Sequence, residues 1–130
     1  MTFFKQNVRF FSVAFGGFFL CSTGSVLAEN LYGAIAYSLE ERIHGYATNF
    51  SSRDAAESEA LANCLARLDS EDSSCSVELW FKNGYGALAE GDDGFGTGHG
   101  RYEQDAQLMA LENCNNYTEN CDISVTIGTD

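Results

Sequence analysis

Seven residues, YGAIAYS at Tyr32–Ser38, return with little change as YGALAEG at Tyr85–Gly91. After each comes a stretch of glycine and aromatic residues, GYATNF at Gly45–Phe50 and GFGTGH at Gly94–His99. Two segments with one spaced pattern follow: Ala56, Ala60, Leu61, Asn63 and Cys64 in the first, Ala106, Ala110, Leu111, Asn113 and Cys114 in the second. Each half closes on a cysteine-led alternating run, CSVELWF from Cys75 and CDISVTI from Cys121. Matching residue types at matching offsets over this many positions read as a tandem duplication of one β-β-α-β unit, covering residues 31–82 and 84–128.

Each element has a local reason. In SSRDAAESEALANCLARL, Ser51 and Ser52 are N-cap candidates, and Asp54 and Glu57 suit the positive end of a helix. Ala56, Ala60, Cys64 and Leu68 make one stripe, with Leu61 and Leu65 widening it. Tyr32, Ala34 and Ala36 share one strand face, as do Tyr85, Ala87 and Ala89 in the copy. Small residues on helix and strand allow a close helix-to-sheet approach. One unit has too little area to bury its apolar face alone, whereas two units back to back share a core. The predicted fold is α+β: two tandem β-β-α-β units packed as a two-layer sheet/helix domain with disulfides.

Residues 1–28 read as a cleaved signal peptide. Lys5 and Arg9 make a positive start, FFSVAFGGFFL at Phe10–Leu20 is an apolar run, and Val26 and Ala28 take the −3 and −1 positions of a cleavage site. The run is shorter than the roughly 20 residues that cross a bilayer. Leu20 also stands where a lipoprotein signal would want a small residue before Cys21. The expected product is a single domain, residues 29–130, periplasmic or secreted and free of the membrane after cleavage. The whole chain carries a net charge of −12, and both signal-borne cations leave with the signal, so residues 29–130 carry −14. That surface repels nucleic acid and anionic lipid, and attracts basic proteins.

Once Cys21 has left, Cys64, Cys75, Cys114 and Cys121 remain, an even number suited to an oxidising compartment. More than one pairing is formally open. The repeat favours Cys64–Cys75 and Cys114–Cys121, each joining a helix end to the next strand. Zinc is the competing reading, but the spacings are not C-x₂-C pairs.

Taken together, YGAIA, GYATNFSSRDAAESEALANC, C-x-VELWFKN and GALA resemble the domain-of-unknown-function 4189 proteins, a bacterial exported family, over Leu31–Ile127. The resemblance implies a signal-bearing, disulfide-containing domain of two related halves, and brings no catalytic residues to carry over. In that family a cysteine often stands where this chain has Tyr85, and another near Gly128. Both are missing here, as expected of two cysteines that bond to each other and were exchanged as a pair. The resemblance leaves the other four to the two within-unit pairs, and none to catalysis.

Candidate chemistry is sparse. Glu90, Asp92, Asp93, His99, Glu103 and Asp105, in EGDDGFGTGHGRYEQD at Glu90–Asp105, could offer ligands to Ca²⁺. Their spacing matches no calcium helix-loop-helix, and a glycine-rich hairpin with solvated acids is the favoured reading. The same glycines lack the Lys-Ser/Thr ending of a phosphate loop. His44 and His99 do not occupy equivalent repeat positions. Ser51 or Ser52 beside Asp54 reads as a helix cap rather than a nucleophile. Glu40–Glu41 and Asp92–Asp93 follow from acidic composition more readily than from glycosidase geometry. No cofactor, metal or catalytic residue is assigned.

Binding has more substance. Alternation in CSVELWFK turns Cys75, Val77, Leu79 and Phe81 inward and Glu78, Trp80 and Lys82 to the other face, with Tyr37 and Tyr46 near it on neighbouring strands. Trp80, Tyr37, Tyr46 and Glu78 are the candidate patch: aromatic anchors beside acids suit a basic protein. The competing reading packs Trp80 as core between the units. The expected function is an exported, non-enzymatic protein-binding domain, in concrete form an inhibitor or immunity protein against a cationic cell-wall-directed enzyme. The alternatives are a secreted effector acting on host or competitor cells, and a Ca²⁺-binding or hydrolytic protein using Glu90–Asp105.

Overall fold

The computed structural model describes residues 29–130, and the expected signal at 1–28 lies outside the described residues. The chain runs β1 (Tyr32–Ser38), β2 (Ile43–Phe50), α1 (Arg53–Leu65), β3 (Ser76–Lys82), β4 (Tyr85–Glu90), β5 (Phe95–Gly100), α2 (Glu103–Asn115) and β6 (Asp122–Gly128). The order β-β-α-β therefore occurs twice in an α+β fold. Each unit forms its own antiparallel three-stranded sheet, β2-β1-β3 and β5-β4-β6.

Within a unit there are two layers, one helix on one sheet. The helix seam is thin. α1 buries Ala56, Ala60 and Cys64 against Ala34, Ala36 and Ala47, and α2 buries Ala106, Ala110 and Cys114 against Ala87 and Ala89. Gly45 and Gly96 face the helices so closely that a β-carbon at either would strike the backbone of Cys64 or Cys114. Ser52 caps α1, its hydroxyl accepting from the Ala55 amide at 3.1 Å. Leu65, expected to widen the stripe, is exposed, and Leu68 lies beyond the helix end. The buried seam follows the single row Ala56–Ala60–Cys64, which Leu65 has passed.

The large side chains sit on the other face of each sheet. Ile35, Tyr37, Phe81, Leu88 and Ile127 form the core between the two sheets, with Leu79, Phe95 and Val125 around them. The sheets stack with β1 over β4, β3 over β5 and β2 over β6. Phe81 lies between the two repeat glycines, Gly33 and Gly86, and an added β-carbon at Gly86 would fall 2.6 Å from its ring. The repeated Tyr-Gly-Ala is thus divided between layers: tyrosine and alanine toward the helix, glycine making room for Phe81.

One expectation about β3 needs correcting. The register slips between Ile35 and Ala36, so Ile35 pairs with Leu79 and Ala36 with Val77, leaving Glu78 as the unpaired residue of a β-bulge. The bulge reverses the alternation: Val77 packs toward α1, while Leu79 and Phe81 face the second sheet. β6 slips at the same place, between Leu88 and Ala89, leaving Ser124 unpaired.

Covalent and polar links complete the assembly. The disulfides are Cys64–Cys75 and Cys114–Cys121, both within units. Loops of this length stabilise by about 2–3 kcal/mol each in the chain-entropy treatment. Tyr85 and Gly128, where the family resemblance implies cysteines, are direct cross-strand partners, and the Tyr85 ring covers Gly128. The inter-unit linker is held at both chain ends of the domain: Leu31 and Asn83 exchange bonds at 2.9 Å, and Thr129 does the same with Gly84. Between the sheets, the Tyr37 hydroxyl donates to Glu90 at 2.6 Å, and Ser124 donates to the other carboxylate oxygen at 2.5 Å. Arg42, in left-handed backbone at φ 56°, brings its guanidinium 3.5 Å from Glu90.

Burial, and then the bond to Glu90, hold the Tyr37 proton well above the ordinary tyrosine range. The folded protein keeps this proton where the unfolded chain loses it, so the stabilisation is full below about pH 10 and declines above it. Tyr37→Phe is expected to cost about 1–2 kcal/mol at neutral pH, because Glu90 loses a buried donor. The alkaline decline should become shallower in the variant, as read from denaturant midpoints between about pH 8 and 11.

Candidate binding groove

A groove runs along the side where β3 lies over β5. Its wider part, about 600 Å³, is lined by Leu39 and Glu78 from the first unit and by Asp93, Phe95, Thr97, Asn113 and Tyr117 from the second. It continues as a hollow of about 470 Å³ along Glu78, Trp80, Lys82 and His99. Glu78 belongs to both parts.

The local fold explains each wall. Glu78 is at the groove because the β3 bulge takes it out of the ladder. Leu39 sits exposed in the β1–β2 turn. Asp93 is placed by a loop that is pinned across the second unit. Its amide donates to the Thr118 hydroxyl at 2.8 Å, the Asp92 amide to the Glu119 carbonyl at 2.9 Å, and Asn120 to the Asp92 carboxylate at 2.7 Å. Tyr117, beyond the end of α2, is 79% exposed. Desolvation raises the Glu78 carboxyl above its ordinary range and outweighs the Ser76 hydroxyl, which acts the other way. Glu78 is nonetheless exposed, and the groove presents its carboxylate together with that of Asp93.

The structure separates the four residues expected to form one patch. Glu78 and Trp80 remain together on β3. Trp80 is 39% exposed, neither core between the units nor bare: Arg53 lies over its ring at 4.4 Å, and Tyr32 is 6.3 Å away. Tyr37 is 2% exposed and packs against Phe95 between the sheets, because it alternates with Ala36, which faces the helix. Tyr46 lies exposed on β2, the edge strand on the far side of β1 from β3, near His44 at 6.4 Å. Of the four, Glu78 and Trp80 line the groove, together with Leu39, Asp93 and Tyr117. These last three lie in turns, where no periodicity reports them. Their one signal in the sequence is that they depart from the matching residues of the other unit.

The glutamate pair of the β1–β2 turn has structural partners. Glu41 accepts from the Asp69 amide at 2.7 Å and the Ser70 amide at 3.0 Å, and these bonds lower its carboxyl; Glu40 accepts from Ser74. Glu40 and Glu41 are therefore loop anchors, as is the Asp92 carboxylate, while that of Asp93 faces the groove. His44 and His99 lie on β2 and β5, edge strands on opposite sides of the sandwich. Burial, and then the charge of Arg67, lower His44. Among the described residues no three of His, Cys, Asp and Glu gather where they could share a metal ion.

Because the Glu78 carboxyl is raised, its ionisation works against the fold, and that cost grows as pH climbs through the carboxylate range. Glu78→Gln is expected to melt slightly higher than the parent at pH 7 and level with it near pH 3, as read by paired thermal melts.

A family model described as Domain of unknown function (DUF4189) matches residues 32–127. Comparison with curated proteins and with solved structures finds no match.

Proposed function

The chain belongs to the domain-of-unknown-function 4189 family, and from that premise we propose that it is an exported, non-enzymatic domain that binds a basic protein through the β3/β5 groove. One observation carries the reading: the β3 bulge sets the exposed carboxylate of Glu78 at a groove that Asp93 also lines, with Leu39, Tyr117 and Trp80 as apolar neighbours. A lysine or arginine docking there would restore the charge's partner while Leu39, Tyr117 and Trp80 supply apolar contact. The charge of −14 on residues 29–130 would speed the encounter with a cationic surface.

The two disulfides are compatible with an extracellular or periplasmic protein, and among the described residues no helix is long and apolar enough to cross a membrane. The periplasm or the medium is the compartment that fits this role. A cationic cell-wall-directed enzyme is the partner class best matched, with the domain as its inhibitor or immunity protein.

The test immobilises residues 29–130 and passes basic cell-wall hydrolases over them, a lysozyme-type muramidase first, with an equally acidic protein as control. Association is expected to slow with salt, and Glu78→Gln to weaken Kd by about tenfold. Affinity should also rise from about pH 4 to pH 6, because cation binding lowers the Glu78 pKa and releases its proton. Equal retention by the control, with no effect of Glu78→Gln, would reduce the acidity to a matter of solubility.

A further inference from the structure

We infer that the groove holds its partner as an added β-strand: an extended basic segment pairing with the open edge of β5, its alternate lysines or arginines facing Glu78 and Asp93. This rests on the proposed binding role and adds the way the partner is held.

The two units carry the same edge, and β5 has one fewer of its outward carbonyls occupied. β2 and β5 are equivalent edge strands, each antiparallel to its central strand. On β2, two of the outward carbonyls are occupied: His44 accepts from the Arg67 guanidinium at 2.7 Å, and Tyr46 from the Asn63 amide at 3.0 Å. On β5 the matching residues are Phe95 and Thr97. Asn113 donates to the Thr97 carbonyl at 2.7 Å, as Asn63 does in the first unit. Tyr117 stands where Arg67 stands, and among the described residues no donor takes the Phe95 carbonyl. The hollow beside β2, lined by Gly45, Tyr46, Asn63 and Arg67, becomes beside β5 the wider groove open toward Leu39 and Glu78.

β5 also lacks the usual guards of an edge. FGTGHG holds no lysine, proline or acid, and its register with β4 runs without a bulge. Residues 95, 97 and 99 turn their amides outward, which is the template that strand addition requires. Side chains of an added strand alternate between faces. One set would meet Glu78 across the groove, which selects basic residues at every second position. The other would meet Asn113 and Tyr117.

The probe is a decapeptide alternating lysine and valine, offered to ¹⁵N-labelled residues 29–130, beside a copy N-methylated throughout that keeps the charge and cannot donate. The parent peptide is expected to slow hydrogen exchange at the Phe95, Thr97 and His99 amides by about tenfold or more, and the methylated copy to leave them unchanged. Thr97→Pro should abolish the protection, since it removes an outward amide that makes no bond to β4, whereas Tyr46→Pro on β2 should leave it intact. Equal binding of both peptides without protection on β5 overturns strand addition and leaves the basic-protein reading standing. Failure of both peptides, together with failure of every basic hydrolase, overturns both.

Discussion

The seam between each helix and its sheet is so thin that it dictates the rest of the molecule. Alanine packs on alanine, and helix backbone rides on Gly45 and Gly96. Such a seam excludes water but buries little apolar area, since an alanine methyl contributes far less than the roughly 1.5–3 kcal/mol of a fully buried large side chain. The large residues must therefore lie on the opposite sheet face, as Ile35, Phe81, Leu88 and Ile127 do. A single unit would show that face to water. Two units stacked sheet to sheet cover it, and a disulfide in each holds a helix end that the seam alone would hold weakly.

Repetition supplies the core, and divergence between the halves supplies everything specific. Tyr37 and Glu90 end the equivalent strands β1 and β4, yet they bond to each other across the interface, one donating and the other accepting. A carboxylate only accepts, so the tyrosine is the one that donates. The bulge residues have parted in the same way: Ser124 turns to Glu90, while Glu78 is left at the groove. Arg67 closes an edge that Tyr117 leaves open.

The sequence made the repeat, the element order and the disulfide pairing legible because each is a matter of spacing along the chain. Alternation did not survive the bulge. One extra residue at Glu78 carries Val77 and Leu79 to opposite faces, and no residue type in SVELWFK announces it. The separation of Tyr37, Tyr46 and Trp80 follows from strand order, with β1 between β2 and β3, which a one-dimensional pattern does not contain. The groove was half legible. Glu78 and Trp80 stood out in sequence, while Leu39, Asp93 and Tyr117 enter through turns whose placement depends on tertiary hydrogen bonds.

Acidity spread over a surface cannot by itself choose a partner. Beyond about 8 Å at physiological salt, exposed charges are largely screened, so most of the excess negative charge acts on encounter and little on the bound state. Glu78 is exposed as well, and what sets it apart is the bulge that takes it out of the β3 ladder and places it at the groove. A cation placed there would meet two carboxylates, those of Glu78 and Asp93, together with apolar groove wall. On the proposed binding role, selectivity would depend less on how many acids the chain has than on the bulge that sets one of them at the groove beside the β5 edge.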